Sequence, residues 1–513
     1  MPTIGGTALS NSRRVGDREA IVVGDTRLTW RELEAVTARV AGELELRGLS
    51  KGDRFSVLCA NSAEFVIAVH AASRLGAVVV PVNTKLAAPE VGYILSNSGS
   101  AMLAYGAGMA NLAIGAGLSA GVETLLSLGP SPVHPDVTAS TDARSIHEDR
   151  AVESDDAFIL YTSGTTGKPK GSLVDHHRAV WAAMSQIVSL GLRDGDRYVH
   201  LAPMYHSGGT TFMNAMTLLG GTHVIAPTFD AESVLDIVER ESVNFVFGVP
   251  TMFQQMLRRS DQRPRDLSSW RIGCFGAAPM PAAAVEELLA TFGDVDFYQL
   301  CGQTEAGPTG IYSTMSQIRT RPDSSGHLAQ PFVEARVVDA DGYDVEAGQV
   351  GELVFSGEGV TKGYWENPSA TAETIRDGWL HTGDLMEVSD DGAMRLVDRL
   401  RDVIITGGRN VYSAEVEQAI ADHPGVADVA VIGRPHHEWG YTVVAFVTLV
   451  AGSEVTEEEL REHCRARIAG YKVPRTVHFG PVPRNAAGKL QKHLLRATDE
   501  APAGSQVPPD GTR

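Results

Sequence analysis

The sequence predicts an α/β protein with a large N-terminal domain and a smaller C-terminal domain. Short apolar segments alternate with segments of helical spacing through the N-terminal half, which indicates parallel sheets covered by helices. From about Glu334, short β-like runs are separated by Asp-Gly and Gly-rich turns, which indicates a small β subdomain. The charged segment 398–402 then precedes further strands and helices. These observations predict an N-terminal domain at 1–397 and an α+β C-terminal domain at 403–500.

The individual elements follow from local periodicity and turn residues. Strands are expected at 20–23, 54–59, 77–82, 222–226, 244–249, 335–338, 351–355, 394–397, 426–431 and 443–449. Helices are expected over 33–48, 414–421 and 457–468. The apolar run 65–82 is interrupted by His70, Arg74 and Pro81, so it predicts a buried helix followed by a strand rather than a membrane span. The Pro/Gly-rich tail 501–513 is predicted to be disordered.

Composition excludes several classes of protein. The 513 residues are 43% apolar and 21% charged, as in ordinary globular proteins. A net charge of −19 argues against nucleic-acid binding, although a few local cations can still bind phosphate. The four cysteines form no C-x-x-C pair, which indicates neither a disulfide framework nor a zinc site and suits reduced thiols in the cytoplasm. The N-terminus lacks the apolar segment of a signal peptide.

The segment FILYTSGTTGKPKG (158–171) carries the most specific chemistry. An apolar strand leads into a loop of glycines, hydroxyl residues and lysines. Glycine lets backbone N–H groups approach an anion, and Lys168 and Lys170 match the charge of a polyphosphate. Only two residues separate Gly164 from Gly167, and Pro169 follows Lys168, so the loop is not a Walker A loop. A polyphosphate-binding loop of another kind is therefore predicted.

Together with eight further motifs, this loop resembles the adenylate-forming superfamily of acyl-CoA synthetases, aryl-CoA ligases, carrier-protein adenylation domains and beetle luciferases. In family order, the further motifs are LTWREL (28–33), PMYH (203–206), GAAP (276–279), QTE (303–305), GYW (363–365), WLHTGD (379–384), DR (398–399) and NAAGK (485–489). Segment 82–100 is most similar to bacterial fatty-acyl-CoA synthetases of the FadD type. The resemblance implies that ATP and a carboxylic acid form an acyl-AMP, which then acylates coenzyme A.

The resemblance also implies roles for the residues that match. The phosphates of ATP would contact Thr162, Ser163, Gly164, Thr165, Thr166, Gly167 and Lys170. Glu305 would ligate Mg²⁺, a cation that favours carboxylates, and Thr304 would contact the α-phosphate. The adenine would lie near Gly276, Ala277, Ala278, Cys301 and Gly302, and the ribose against Asp384 and Arg399. Lys489 would bridge the α-phosphate and the substrate carboxylate, because phosphoryl-group chemistry depends on positioning and charge.

The substrate acid and CoA are assigned in the same way. His206 would lie beside the acyl group in a pocket shaped by Tyr205, Gly208, Gly209 and Leu300, where the glycines suggest room and Leu300 a constriction. The C-terminal domain is expected to be mobile and to rotate about the hinge 398–402 at Arg401. Pantetheine would then pass Gly407 and Gly408. Trp439 would stack on the CoA adenine, or is an ordinary packing tryptophan.

Several residues depart from the family pattern. Cys301 replaces an expected adenine-stacking tyrosine, whose stack is worth on the order of 1 kcal/mol, and Leu300 replaces a small residue. Asp175 replaces a threonine after the loop. These departures motivate an alternative: a ligase with weakened adenylation that mainly transfers a supplied acyl-AMP to CoA. An acyl-AMP ligase that loads a carrier protein is another alternative.

The sequence disfavours two other classes of protein and leaves the class of acid unassigned. A luciferase-like oxygenase and a non-enzymatic nucleotide sensor are disfavoured, the latter because Glu305 and Lys489 are present. The paired histidines at 176–177 and 436–437 lack a third ligand at metal spacing and are interpreted as non-metal residues. Fatty, aromatic and polycyclic acids all remain possible substrates.

Overall fold

A computed structural model of the chain describes residues 3–139, 143–162, 168–260, 263–484 and 490–497. Contacts between Cα atoms divide the chain into two compact units. Among the described residues, the first unit comprises the chain up to Thr382, except for Lys168, together with Met386–Leu396. The second comprises Lys168, Gly383–Leu385 and the chain from Val397 onward. The limits predicted at 397 and 403, the hinge 398–402 and the mobility of the C-terminal part stay predictions. The tail 501–513 lies outside the described residues.

Strands are numbered in chain order. They are β1 (Glu19–Val23), β2 (Thr26–Thr29), β3 (Arg54–Leu58), β4 (Val78–Pro81), β5 (Ser100–Tyr105), β6 (Thr124–Ser127), β7 (Asp156–Thr162), β8 (Lys170–Asp175), β9 (Arg197–His200), β10 (Thr222–Ile225), β11 (Phe245–Gly248), β12 (Ile272–Gly276), β13 (Asp296–Gly302), β14 (Gly310–Ser313), β15 (Leu328–Ala329), β16 (Val333–Val338), β17 (Val350–Gly357), β18 (Gly363–Tyr364), β19 (Ile375–Arg376), β20 (Trp379–Val388), β21 (Met394–Arg399), β22 (Ile404–Thr406), β23 (Arg409–Val411), β24 (Val426–His436), β25 (Gly440–Leu449) and β26 (Thr476–Phe479).

Helices are numbered in the same way. They are α1 (Ile4–Arg14), α2 (Trp30–Leu46), α3 (Ala63–Leu75), α4 (Ala88–Ser98), α5 (Ala110–Ala120), α6 (His176–Leu190), α7 (Ser207–Leu219), α8 (Ala231–Arg240), α9 (Pro250–Leu257), α10 (Ala282–Thr291), α11 (Met315–Thr320), α12 (Pro368–Thr374), α13 (Ser413–Ala421), α14 (Glu457–Arg465) and α15 (Lys492–Ala497). Short 3-10 turns occur at Thr304–Ala306, Leu400–Asp402 and Gly470–Lys472. No described helix is both long and apolar enough to cross a membrane.

Two large sheets form the first unit. Among the described strands, one sheet has the order β15-β14-β13-β12-β11-β9-β10-β1-β2, and the other β18-β8-β7-β4-β3-β5-β6. The first is parallel from β13 to β1 and the second from β7 to β6. The predicted parallel α/β architecture is confirmed. Antiparallel strands complete both edges of the first sheet and the β18 edge of the second, because short hairpins such as β7–β8 return the chain beside itself.

Helix α3 shows how the sequence specifies the buried core. Ser62 caps its first turn by accepting from the N–H of Phe65, and Gly76 ends it in the left-handed conformation. Every residue of the helix except Glu64 is buried, and so is all of β4, which follows it. Within the helix, Arg74 donates to Glu34 of α2 and to the Ile146 carbonyl, so its buried charge is paired. The prediction of a buried helix and strand, rather than a membrane span, is confirmed.

The predicted β subdomain corresponds to the sheet β16-β17-β20-β19, in which β21 pairs with β20. Strands β16 and β17 form an antiparallel pair from Val333↔Gly357 to Val338↔Glu352. Leu353 and Phe355 are buried in an apolar cluster on one face of this sheet, and Val354 between them is buried as well.

The second unit is a small α+β structure. Its sheet has the order β23-β22-β25-β24, and β26 pairs in parallel with β25. Helices α13 and α14 bury Val416, Ile420 and Leu460 in its core. The predicted helix 457–468 is too long: α14 ends at Arg465, and Ile468 N–H donates to the Cys464 carbonyl in the turn that follows. The predicted strand 426–431 is too short, because β24 pairs with β25 up to His436↔Gly440.

Candidate active site

The flanks of the predicted phosphate loop are held in the hairpin β7–β8, in which Thr162 pairs with Lys170. Tyr161 donates its hydroxyl to Asn97 Oδ1 at 2.6 Å. The Lys170 ammonium lies 5.0 Å from the ring centroid of Tyr364, a cation–π distance. Ser163, Gly164, Thr165, Thr166 and Gly167 lie outside the described residues. The structure therefore fixes where the loop begins and ends.

Glu305 lies at the start of this loop. It occupies the 3-10 turn after β13 and is buried. Its Oε1 accepts from the Tyr364 hydroxyl at 2.8 Å and from Thr162 Oγ1 at 3.3 Å. Its carbonyl accepts from the N–H of Thr361. The two hydroxyl donors thus hold one carboxylate oxygen of Glu305 beside the strand that enters the loop.

Tyr364 stays a donor in this arrangement. Burial raises the pKa of its phenol, and the neighbouring Glu305 carboxylate raises that pKa further. The phenol of Tyr364 therefore stays protonated and donates its hydroxyl to the Glu305 carboxylate. The GYW motif includes Tyr364, but spacing alone gave no sign that its hydroxyl meets Glu305.

Thr304 joins this group to the N-terminus of α7. Thr304 Oγ1 and Ser207 Oγ are 2.9 Å apart. His206 immediately precedes the helix, and its ring lies 4.9 Å from that of Tyr205. Tyr205 is buried, and burial raises the pKa of its phenol. Thr304 and the predicted acyl-site residues therefore lie in adjacent segments.

The backbone is strained in the segment after β12. This segment lies at the same edge of the nine-stranded sheet as Glu305. Gly276 pairs with Leu300 of β13, and a Cβ at Gly276 would lie 2.4 Å from the Leu300 carbonyl oxygen. Ala277 is exposed and has a φ of 66°, an unusual conformation for a residue with a side chain. Such strain is concentrated at functional sites. Parallel sheets bind ligands at their carboxyl edge, where Ala277 and Glu305 both lie.

In the second unit, Asp384 and Arg399 form an ion pair. Arg399 Nε lies 2.5 Å from Asp384 Oδ1, while the Arg399 side chain remains about half exposed. Arg401 follows in the 3-10 turn Leu400–Asp402. Burial lowers the pKa of its guanidinium, and the Asp402 charge opposes that shift. Asp402 itself accepts from Arg496 at 2.7 Å.

The glycines of the predicted pantetheine loop form a tight hairpin turn. Gly407 and Gly408 connect β22 to β23 as a two-residue loop with φ values of 54° and 74°. A type I′ turn requires positive φ at both positions, so the hairpin itself explains both glycines. Trp439 packs on this turn: a Cβ at Gly407 would lie 3.0 Å from its ring.

Contacts between cations and aromatic rings that the motifs did not reveal lie in the same unit. The Arg475 guanidinium lies 4.9 Å from the Trp439 ring centroid. Arg409 and Lys472 lie 5.0 and 5.8 Å from the centroid of Tyr471. Such pairs offer charge and a stacking face to a phosphorylated nucleotide. Their spacing in the sequence carried no pattern that could have identified them.

Comparison with known proteins shows the family. Residues 9–365 match the AMP-binding enzyme family, and 415–489 match the AMP-binding enzyme C-terminal domain. The chain belongs to the AMP-binding enzymes. It is 36% identical to a feruloyl-CoA synthase of Amycolatopsis over 96% of this chain and 98% of that protein. It is also 36% identical to the long-chain-fatty-acid–CoA ligase FadD13 of Mycobacterium tuberculosis, over 92% and 93%.

A solved structure of an o-succinylbenzoate CoA synthetase from Bacillus subtilis, in complex with its acyl-adenylate, is also similar. It has a TM-score of 0.87, 29% identity and coverage of 96% of this chain and 97% of that chain. The predicted fold, superfamily and acid–thiol ligase class are therefore confirmed. The roles predicted for individual residues stay predictions, and Lys489 lies outside the described residues.

Two predicted site glycines of this AMP-binding enzyme have a local structural explanation. A Cβ at Gly302 would lie 2.3 Å from the Thr309 carbonyl oxygen, and a Cβ at Gly209 would lie 2.2 Å from that of Pro203. Backbone packing alone therefore requires glycine at both positions. Gly208 differs, since a Cβ there would meet only the ring of Phe247, at 3.3 Å.

The two departures on β13 lie on opposite faces of the sheet, because side chains alternate along a strand. Leu300 packs against the cluster that contains Phe247 and Cys274. Cys301 packs against the cluster that contains Ile311 of β14 and Phe355 of the β subdomain. A change at Leu300 therefore reshapes one apolar compartment, and a change at Cys301 another.

Asp175, the third departure, caps α6. Its Oδ1 accepts from the N–H of Arg178 at 2.9 Å and its Oδ2 from the Arg178 guanidinium at 2.6 Å. Arg178 Nε in turn donates to the Val360 carbonyl at 2.7 Å. Asp175 therefore orients an arginine that holds the segment leading to Thr361, the donor to Glu305.

The paired histidines have ordinary partners. His176 accepts from the N–H of Ile4, and burial lowers its pKa to about 4. His177 lies between Glu153 and Glu358, at 2.6 Å from each. The rings of His436 and His437 stack at 4.6 Å.

Proposed function

We propose that this chain is an AMP-forming acyl-CoA synthetase. A carboxylate attacks the α-phosphorus of ATP and releases pyrophosphate, and the CoA thiol then attacks the acyl carbon and releases AMP. The observation that carries the proposal is the Glu305 carboxylate, held by Thr162 and Tyr364 where the glycine-rich loop begins. The relatives named above are CoA ligases, which supports the same reaction.

The residues fit a magnesium ion. The described residues contain no cluster of three His, Cys, Asp or Glu side chains that could hold a metal by themselves, so the ion would also need ligands from the substrate. Mg²⁺ commonly uses one or two carboxylates together with substrate phosphates, and Glu305 supplies such a carboxylate. A similar solved structure contains ATP and magnesium. The bound ion would neutralise phosphate charge, while Thr162 and Tyr364 keep the carboxylate oriented toward the loop.

The nucleotide would be held from several segments. Lys170 and the loop residues 162–167 bind the phosphates in this proposal, and Thr304 contacts the α-phosphate. The strained segment at Ala277, with Gly276 and Ala278, borders the adenine. Asp384 accepts from the ribose hydroxyls and Arg399, already its ion-pair partner, orients it. Lys489 bridges the two reacting groups and neutralises their combined charge.

The second step would use residues of the second unit. Gly407 and Gly408 border the pantetheine arm, and Trp439, backed by Arg475, faces the CoA nucleotide. Arg401 serves as the hinge. The cation–aromatic pairs favour CoA over a carrier protein, because they suit a phosphorylated nucleotide. A carrier-protein ligase remains the second candidate, since a relative with 32% identity is named a fatty acid–[acyl-carrier-protein] ligase.

The proposal places the enzyme in the cytoplasm. Its four cysteines are free thiols, which suits a reducing compartment, and its substrates would be ATP and CoA.

A mass-spectrometric assay tests the proposed function. The protein is incubated with ATP, Mg²⁺, CoA and a broad panel of carboxylic acids, and both acyl-AMP and acyl-CoA are sought. Acyl-CoA that forms only when ATP is present supports the complete two-step reaction. If neither species forms, synthetic acyl-AMPs are supplied with CoA. Thioester formed only then would show that adenylation is lost, as the replacement at Cys301 suggests; no thioester with any acid or acyl-AMP would contradict CoA ligation.

A further inference from the structure

One face of the nine-stranded sheet carries Leu300, a residue assigned to the acyl pocket. Large side chains fill this face in ordered rows. Six residues of four neighbouring strands share one face: Tyr198, Phe245, Phe247, Cys274, Tyr298 and Leu300. The register aligns Leu300 with Gly276 at the carboxyl edge. One row further in, Phe247 aligns with Cys274 and Cys274 with Tyr298. Because this row lies two residues along the strands, it is about 7 Å from Leu300.

Aromatic rings close the space behind this row. Phe212 of α7 lies 4.8 Å from Phe247 and 5.0 Å from Phe245, measured between ring centroids. Tyr198 stacks on Phe245 at 4.8 Å. Phe212, Phe245 and Tyr198 are at most 2% exposed, and Phe247 is 7% exposed. Interiors packed in this way do not yield space to a ligand without moving side chains.

Phe247 also borders the residues assigned to the acyl pocket. Its ring edge is the nearest group to Gly208, at 3.3 Å from the position a Cβ would take. Leu300 packs on the same cluster. An acid that enters at the carboxyl edge between Gly208 and Leu300 therefore meets the Phe247 ring after about one row of side chains.

We propose that Phe247, backed by Phe212, ends the acyl pocket and restricts the substrate to compact aromatic acids. This inference rests on the proposed function, whose acyl site it extends. A planar ring fits between Gly208 and Leu300 and contacts the Phe247 edge, an arrangement that aromatic pairs favour. A long alkyl chain must displace Phe247 and Phe212 from their packing.

The opposite face of the sheet is likewise filled by buried aromatic rings. Phe275 and Phe297 point to that face and are fully buried against Phe253. Phe297 therefore provides a matched control: it is a buried phenylalanine of β13 in the same sheet, on the face away from the acyl pocket.

The test compares kcat/KM for acyl-CoA formation across an acid series. The series contains benzoate- and cinnamate-type acids, hexanoate, dodecanoate and hexadecanoate, each with ATP, Mg²⁺ and CoA. We expect the best aromatic acid to exceed hexadecanoate by at least about a hundredfold, since single methylenes already alter specificity by roughly tenfold or more. Phe247→Ala should raise the dodecanoate-to-aromatic ratio of kcat/KM by about tenfold or more. Phe297→Ala should leave that ratio unchanged.

The outcomes separate the inference from the proposed function. A wild-type preference for hexadecanoate, or a ratio that Phe247→Ala does not change, would overturn the inference while CoA ligation stands. The absence of product with every acid and every synthetic acyl-AMP would overturn the proposed function. If Phe247→Ala does not fold, the milder Phe247→Leu and the wild-type series decide between the same outcomes.

Discussion

A single carboxylate, Glu305, connects the segments of the candidate active site. One of its oxygens accepts from Tyr364 and from Thr162, and its carbonyl accepts from Thr361. Hydrogen bonds to a charged group contribute about 1.5–3 kcal/mol, more than bonds between neutral partners. The orientation of Glu305 therefore depends strongly on Tyr364.

Tyr364→Phe removes the hydroxyl that donates to Glu305 and keeps the ring beside Lys170. We expect the rate of acyl-AMP formation to fall by roughly ten- to a hundredfold, the rate equivalent of one charged hydrogen bond. Pyrophosphate release in the presence of acid and ATP measures this step. Thioester formation from synthetic acyl-AMP should change far less. Tyr343→Phe is the matched control, because Tyr343 is 72% exposed. An unchanged adenylation rate in Tyr364→Phe would contradict the role of this contact.

Sequence alone could nominate Glu305, Thr304 and His206, because each belongs to a short contiguous motif. It could not show that Tyr364 meets Glu305, since 59 residues separate them and the contact exists only after folding. The reasons for glycine at 209 and 407 were equally hidden. One is a backbone contact with Pro203 and the other a hairpin turn, and neither needs a ligand.

At the scale of elements, the start of α6 holds the segment that supports Glu305. His177 bridges Glu153 and Glu358, and Arg178 donates to the Val360 carbonyl next to Thr361. The hydrogen bonds to the two carboxylates raise the pKa of His177 above its ordinary value of 6.5. The protonated imidazole therefore fastens α6 to residues 358–361.

This bridge predicts a pH-dependent stability. Because the folded pKa of His177 is raised, its contribution is fully present below pH 6.5 and is lost as pH rises through the higher folded value. The groups are partly exposed, so we expect less than about 1 kcal/mol. The difference in Tm between wild type and His177→Gln should be largest at acidic pH and should shrink toward neutral and alkaline pH. The exposed His437→Gln serves as control. A difference that grows with pH would contradict the bridge.

The strands that local periodicity predicted are all present, but it missed interior strands such as β5, β9, β12 and β13 and misplaced ends where tertiary pairing decides. Strand β24 extends beyond the predicted 426–431 because β25 lies beside it up to His436. Helix α14 is shorter than the predicted 457–468 because the chain turns at Cys464. The antiparallel strands at the sheet edges were not predicted, since periodicity indicates a strand but not its partner.

At the scale of the whole molecule, the chain combines two units: the first contains two large sheets and their core, and the second a small sheet with a core of its own. The first contains the phosphate-loop flanks and Glu305, and the second contains the Asp384–Arg399 pair and the cation–aromatic pairs. This division matches the two family regions at 9–365 and 415–489. In the proposed two-step reaction, both sets of residues would take part.

The fate of the carboxylate oxygens tests that reaction most directly. The acid is supplied with a heavy-oxygen-labelled carboxylate, together with ATP, Mg²⁺ and CoA, and the AMP is examined by mass spectrometry. If the carboxylate attacks the α-phosphorus, one labelled oxygen remains in the AMP phosphate when the CoA thiol displaces it. We predict AMP with one labelled oxygen, in the same amount as acyl-CoA. Unlabelled AMP, or the formation of ADP and phosphate with the thioester, would contradict an acyl-AMP intermediate.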